Sequence, residues 1–130
     1  LPPLLLIAAL AGACDDGPTA PSGQRQYRVR DVHAQVMTVR IADPTVAAQA
    51  DQLLASGQQR WVTGRLRVGH GGFNQPWSWH LDPATIELAE VTIEACQTTI
   101  RGVEDDLDYW LEFDRTVGPV CVGGVFVSRQ

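Results

Sequence analysis

"PWSWHLDP", Pro76 to Pro83, sets two tryptophans, a histidine and an aspartate between two prolines. Side chains alternate along a strand, so Trp77, Trp79 and Leu81 fall on one face and Ser78, His80 and Asp82 on the other. The apolar face predicts a strand laid on a core. The prolines, which lack a ladder donor, predict its two ends. His80 and Asp82 also invite a catalytic reading, because an aspartate can orient an imidazole to take a proton from a serine. On a strand, Ser78, His80 and Asp82 would stand about 7 Å apart, too far for direct hydrogen bonds. The sequence has no G-x-S-x-G elbow either. No catalytic residue is therefore assigned. Asn74, Trp77, Trp79, His80 and Asp82 are the candidate binding residues. The alternative is structural: core tryptophans and a histidine bonded to backbone.

Working outward, Gly69-His70-Gly71-Gly72 reads as a turn. The stretch from Val68 to Trp77 is longer than a tight hairpin loop and is expected to protrude. Before it, Trp61 to Val68 reads as one strand, with Val62, Gly64, Leu66 and Val68 on one face. Gln26–Val32 and Gln35–Ile41 alternate likewise, as one interrupted strand or a hairpin. Asp43-Pro44 predicts the clearest helix: an N-cap acceptor, then proline at the first position. Its apolar face is Val46, Ala50, Leu53 and Leu54, and Gly57 is placed to end it.

Downstream, Leu88 to Cys96 is ambiguous, and its alternation and β-branching favour strand. Thr98-Thr99 introduces a second helix with the stripe Ile100, Val103, Leu107 and Trp110. Val120 to Val127 reads as the last strand, with Gly123-Gly124 as a bulge or close-contact point. The sum is an α+β domain: an antiparallel or mixed sheet of about five or six strands with two helices.

Leu4 to Ala11 is apolar but shorter than the roughly 20 residues that span a bilayer. With Ala11-Gly12-Ala13 before Cys14, it reads as an export signal of the bacterial lipoprotein type, cut before Cys14. No initiator Met or basic region precedes it, so the signal is expected to begin upstream. The expected organisation is an export signal over residues 1–13, a lipidated tether over 14–24 and one α+β domain over 25–130. Asp15 to Gly23 is too polar to repay its ordering entropy, which suits a tether. A plain secretory signal is the alternative and would leave the chain fully secreted.

If Cys14 carries lipid, Cys96 and Cys121 remain, and an exported domain is expected to bridge them. Closing a loop of about 25 residues contributes about 3 kcal/mol. No CxxC or HxxxH spacing supports zinc. The run Glu104-Asp105-Asp106-Leu107-Asp108 lacks the wrapping loop that calcium uses and reads as a solvated helix face. No metal or cofactor is assigned. Ten arginines, no lysine and a net charge of −5 leave no basic block for nucleic acid.

The segment "FNQPWSWHLDPATIELAEVTIEAC", Phe73 to Cys96, resembles a small exported domain. That domain occurs at the N-terminus of a slime-mould calmodulin-binding protein and in bacterial proteins. Its pattern runs P-W-S-[FW]-H-L-D-P, then an A-[IT]-E-x-C run, a V-E-x-x-L-D helix and a late Cys before an S-R pair. Here these are Val103-Glu104 to Leu107-Asp108, Cys121 and Ser128-Arg129. The chain departs from it at Gln97, where relatives carry Asp. It departs again at Val122-Gly123-Gly124, where many carry a second Trp- and Pro-rich cluster. Calmodulin targets are typically basic amphipathic helices, and neither expected helix has a basic face. The resemblance therefore does not bring calmodulin binding to this chain.

These features point to an extracytoplasmic, lipid-anchored binding or interaction domain of the bacterial envelope. Its expected partners are the bilayer, through acylated Cys14, and an envelope or secreted protein. Entry of the loop into an enzyme's cleft is one variant. The alternatives are a hydrolase or metal-dependent enzyme using His80 and Asp82, and a purely structural envelope protein.

Overall fold

The computed structural model describes residues 19–90 and 97–130. Cys14 and Cys96 lie outside them, as do the signal and most of the tether. The domain is α+β, as expected, and its sheet is mixed. Strands β1 (Arg25–Arg30), β2 (Val36–Ile41), β3 (Gln59–Gly64), β6 (Glu87–Ala89) and β8 (Val120–Arg129) follow the order β2-β1-β8-β3-β6, all antiparallel. A short β7 (Gln97–Thr98) runs parallel to β8. A separate two-stranded ribbon pairs β4 (Leu66–Val68) with β5 (Trp79–Leu81).

The two N-terminal runs form a hairpin, with Arg30 opposite Val36. Asp31 makes the turn. It is buried, and its Oδ1 accepts from His33 N at 2.9 Å and Gln35 N at 3.0 Å. Its Oδ2 accepts from Ile100 N at 2.9 Å, the first residue of a helix 69 positions away. One carboxylate thus fixes a local turn and docks a distant helix. Burying it is tolerable because three N–H groups replace water.

Helix α1 (Pro44–Ser56) forms as its caps dictate. Asp43 accepts from Thr45 N at 2.8 Å, and Gly57 closes the helix at φ 70°. Ala47, Ala50 and Leu53 are its buried face, with Val46 and Leu54 partly buried beside them. Small residues here let the helix lie close on β8, whose Val122 and Phe126 belong to the same core. Gly124 permits the strands to approach. A Cβ there would stand 2.6 Å from Val29 Cγ1 and 2.8 Å from Arg30 O, beside a register shift between Arg28 and Val29.

Three expectations need correction. The run Trp61 to Val68 is two strands, in different sheets, parted at Arg65. Beyond Gly64 the backbone leaves the ladder for side chains: Arg65 N donates to Thr85 Oγ1 and Leu66 N to Asp114 Oδ1, both at 2.9 Å. Gly64 itself has no room for a side chain, since a Cβ would meet Ile86 at 3.0 Å and Leu81 at 3.2 Å. Val68, assigned to the buried face, is 71% exposed. The second helix is two helices, α2 (Ile100–Asp105) and α3 (Leu107–Thr116), broken at Asp106 with φ −137° and ψ 49°. Four acidic side chains crowd this point, and neighbouring like charges together with the low helix preference of Asp favour the break. Of the strand expected over Leu88 to Cys96, β6 supplies Glu87–Ala89; residues 91–96 lie outside the described residues.

Tyr27 joins β1 to α1. It is fully buried, and its hydroxyl donates to Asp51 Oδ1 at 2.7 Å. Arg25 and Arg129 hold the same carboxylate at 2.7 and 3.4 Å. Burial, and then the bond to Asp51, push the phenol above its ordinary value of 10.0. The folded chain therefore holds this proton more tightly than the unfolded chain. The resulting stability is complete below about pH 10 and is lost as pH rises through the folded value. Tyr27→Phe should flatten the fall in urea midpoint measured between about pH 9.5 and 11; an unchanged slope would assign that fall elsewhere.

Candidate functional site

The ribbon carries the PWSWHLDP block. Leu66 faces Leu81, Arg67 faces His80 and Val68 faces Trp79. Trp77, Trp79 and Leu81 are buried at 6%, 0% and 1% exposure, while Ser78 is exposed, so the alternation holds. The loop between the strands does not protrude as expected; its middle turns inward. Phe73 is 5% exposed and Asn74 is fully buried. The turn is built from Asn74 N donating to His70 O at 2.9 Å and Gly72 N donating to His70 Nδ1 at 2.8 Å. Gly69 N closes it on Ser78 O at 2.7 Å, and the Gln75–Pro76 peptide is cis.

Each candidate residue has a definite place. The Asn74 amide bridges two sheets: Oδ1 accepts from Thr38 N at 2.8 Å, and Nδ2 donates to Trp79 O at 2.7 Å. Trp77 Nε1 donates to Val36 O at 2.8 Å. Both residues therefore satisfy backbone groups on the outer edge of β2, an edge that would otherwise stand open. Trp79 fills the core, and its buried Nε1 has no hydrogen-bond partner. His80 is half-buried beneath the loop. Its Nδ1 lies 2.7 Å from Gly69 O, and because a carbonyl only accepts, the proton sits on Nδ1. Its ring meets Phe73 edge-on at 5.4 Å, and Gly71 packs so tightly over it that a Cβ would come within 2.8 Å.

Asp82 faces away from this chemistry. Its Oδ1 accepts from Ala84 N at 3.0 Å, capping a 3-10 turn over Pro83–Thr85, and its Oδ2 pairs with Arg67 at 3.3 Å. His80 and Asp82 thus bind different partners. Two further residues hold the loop that local pattern did not mark. Glu104, expected on a solvated helix face, accepts from Ser78 N at 2.9 Å and Ser78 Oγ at 2.8 Å. Arg40 lies over the Phe73 ring at 4.6 Å while its Nε donates to buried Gln26. Desolvation pushes its guanidinium below the ordinary value. The V-E-x-x-L-D pattern around Glu104 was the one sequence signal that set it apart from its acidic neighbours.

None of the five candidates lines either of two surface hollows. One, of about 340 Å³, lies between α1 and the β3–β6 edge, with Gln49, Gln52, Gln58 and Arg60 over Leu53 and Leu88. The other lies on the opposite sheet face. Among the described residues, no group of three or more His, Cys, Asp or Glu side chains is placed to hold a metal, and no helix is long and apolar enough to cross a membrane. Cys121 is buried on β8 and does not stand as a free thiol; Cys96 lies outside the described residues, so their pairing remains a proposal.

Removing the Asn74 amide strands a buried N–H and a buried carbonyl, each costing about 1–3 kcal/mol. Asn74→Ala should therefore lose about 2–4 kcal/mol in urea unfolding, and His80→Ala about 1–2 kcal/mol. Wild-type stability in both would mean that the loop is not held from within.

Neither a curated protein nor a solved structure matches the chain. The family model described as the N-terminal domain of a calmodulin-binding protein matches residues 24–126, from just before β1 to within β8, and the chain belongs to that family.

Proposed function

We propose that the chain is an exported, lipid-anchored interaction domain without catalysis of its own, and that it meets a protein partner with the outer rim of the β4–β5 loop. One observation carries this reading: the loop is fixed from inside while its rim faces solvent. Arg67, Val68, His70, Gly72, Gln75, Pro76 and Ser78 are exposed, whereas Phe73, Asn74 and Trp77 are buried. A loop already ordered by Asn74, Trp77 and Glu104 has little conformational entropy left to lose on binding. Val68, a large apolar side chain at 71% exposure, supplies a contact that water disfavours. The candidate residues of the block then act beneath the surface, by shaping the rim.

The anchor rests on Leu4 to Cys14. Acylation of Cys14 would tether the domain through a polar segment whose end, at Thr19, already touches the body: Arg40 Nη2 donates to Thr19 O at 3.2 Å. Cys14→Ser should move the chain from the membrane fraction to the soluble fraction. Retention at the membrane would contradict lipid anchoring.

For the rim, the full chain and a Val68→Asp/His70→Ala variant would be used to capture proteins from the native envelope. The captured protein, once purified, should bind the variant at least tenfold more weakly, with both forms melting at the same temperature. Equal binding, or no protein captured by the wild type, would overturn the reading.

A further inference from the structure

By strand alternation, Trp61 and Gly123 lie on the sheet face opposite the core residues Val62 and Val122. A groove of about 270 Å³ opens there, lined by Gln59, Trp61, Gln97, Thr98, Thr99 and Gly123, with 70%-exposed Val32 completing it. The chain carries ten basic and fifteen acidic side chains, yet none of them lines this groove. Trp61 pairs with Gly123 across the β3–β8 ladder. A Cβ on Gly123 would stand 3.0 Å from Trp61 Cζ3 and 3.1 Å from both Trp61 Cη2 and Gln59 Nε2. The bare backbone therefore lets the indole and the Gln59 amide settle onto the sheet.

The polar groups differ in how far they are committed. Thr99 Oγ1 accepts from Gly102 N at 3.0 Å and caps α2, and the nearest bond of Thr98 Oγ1 is a long one, 3.4 Å to Thr99 O. The side-chain amides of Gln59 and Gln97 make no hydrogen bond among the described residues. The groove thus offers one indole and two uncommitted primary amides, each able to donate and accept.

We propose that this groove binds a neutral hexopyranose oligosaccharide, with Trp61 against the C–H face of one ring and Gln59 and Gln97 on its hydroxyls. Such a ring has the same two properties as the groove: an apolar face, and uncharged groups that donate and accept at once. An ionic ligand would find no counter-charge here. A purely apolar ligand would leave two amides stripped of water without a partner. The groove is separate from the ribbon rim, so this site stands or falls independently of the protein-partner reading.

The full chain, in a detergent without a sugar headgroup, would be titrated calorimetrically with cellotetraose, maltotetraose, mannotetraose and chitotetraose. Saturable binding of at least one is expected. Gln97→Ala, at an exposed position, should weaken it about fivefold to tenfold. Trp61→Ala should weaken it at least tenfold, with urea unfolding confirming that the variant is folded; should it unfold, Gln97→Ala carries the test. No saturable binding of any of the four, or binding unchanged by Gln97→Ala, would overturn the proposal.

Discussion

A single buried amide holds the two sheets together. Asn74 takes the Thr38 N–H of β2 on one side and gives to the Trp79 carbonyl of β5 on the other, with no exposure to water. A primary amide suits this position because it ends in one acceptor and one donor, and each meets its complement. A carboxylate would oppose the Trp79 carbonyl, and an apolar side chain would strand both backbone groups. The rest of the ribbon follows from this clamp. Trp77 adds a second bond to the same edge, Trp79 and Leu81 are delivered to the core, and the loop above His80 closes.

The parts of this fold that local chemistry governs were legible in the sequence. Asp43-Pro44 and Gly57 bound α1 as read, and the Trp77, Trp79, Leu81 alternation faced the core as read. Other features depend on partners far along the chain. Nothing near Asp31 says that its second oxygen will receive Ile100 N, 69 residues later. Gly64 continued a strand pattern, and only the nearness of Ile86 and Leu81 shows why the strand leaves the sheet there. Glu104 looked like its acidic neighbours, yet it alone of that run reaches Ser78.

The same distinction governs the candidate site. Asn74, Trp77, Trp79, His80 and Asp82 were grouped because they are adjacent in sequence, and the ribbon does bring them together. It sends their polar atoms to different structural partners, however. His80 turns to Gly69, Asp82 to Ala84 and Arg67, Asn74 and Trp77 to β2. Recognition on this ribbon then falls to the exposed rim. On the far sheet face, Trp61 and Gly123 come together from strands about sixty residues apart in sequence, a juxtaposition that no local pattern announces.

The most direct measurement is native-state amide hydrogen exchange at Thr38. This amide belongs to a sheet-edge strand, where an unbonded N–H exchanges readily. If Asn74 holds the ribbon, the Thr38 amide is protected in the wild type to near the level of the β1–β8 core. In Asn74→Ala it then exchanges fast, together with the amides of residues 69–78, while β1 and β8 stay protected. Rapid exchange of Thr38 in the wild type, or protection unchanged without Asn74, would contradict the clamp.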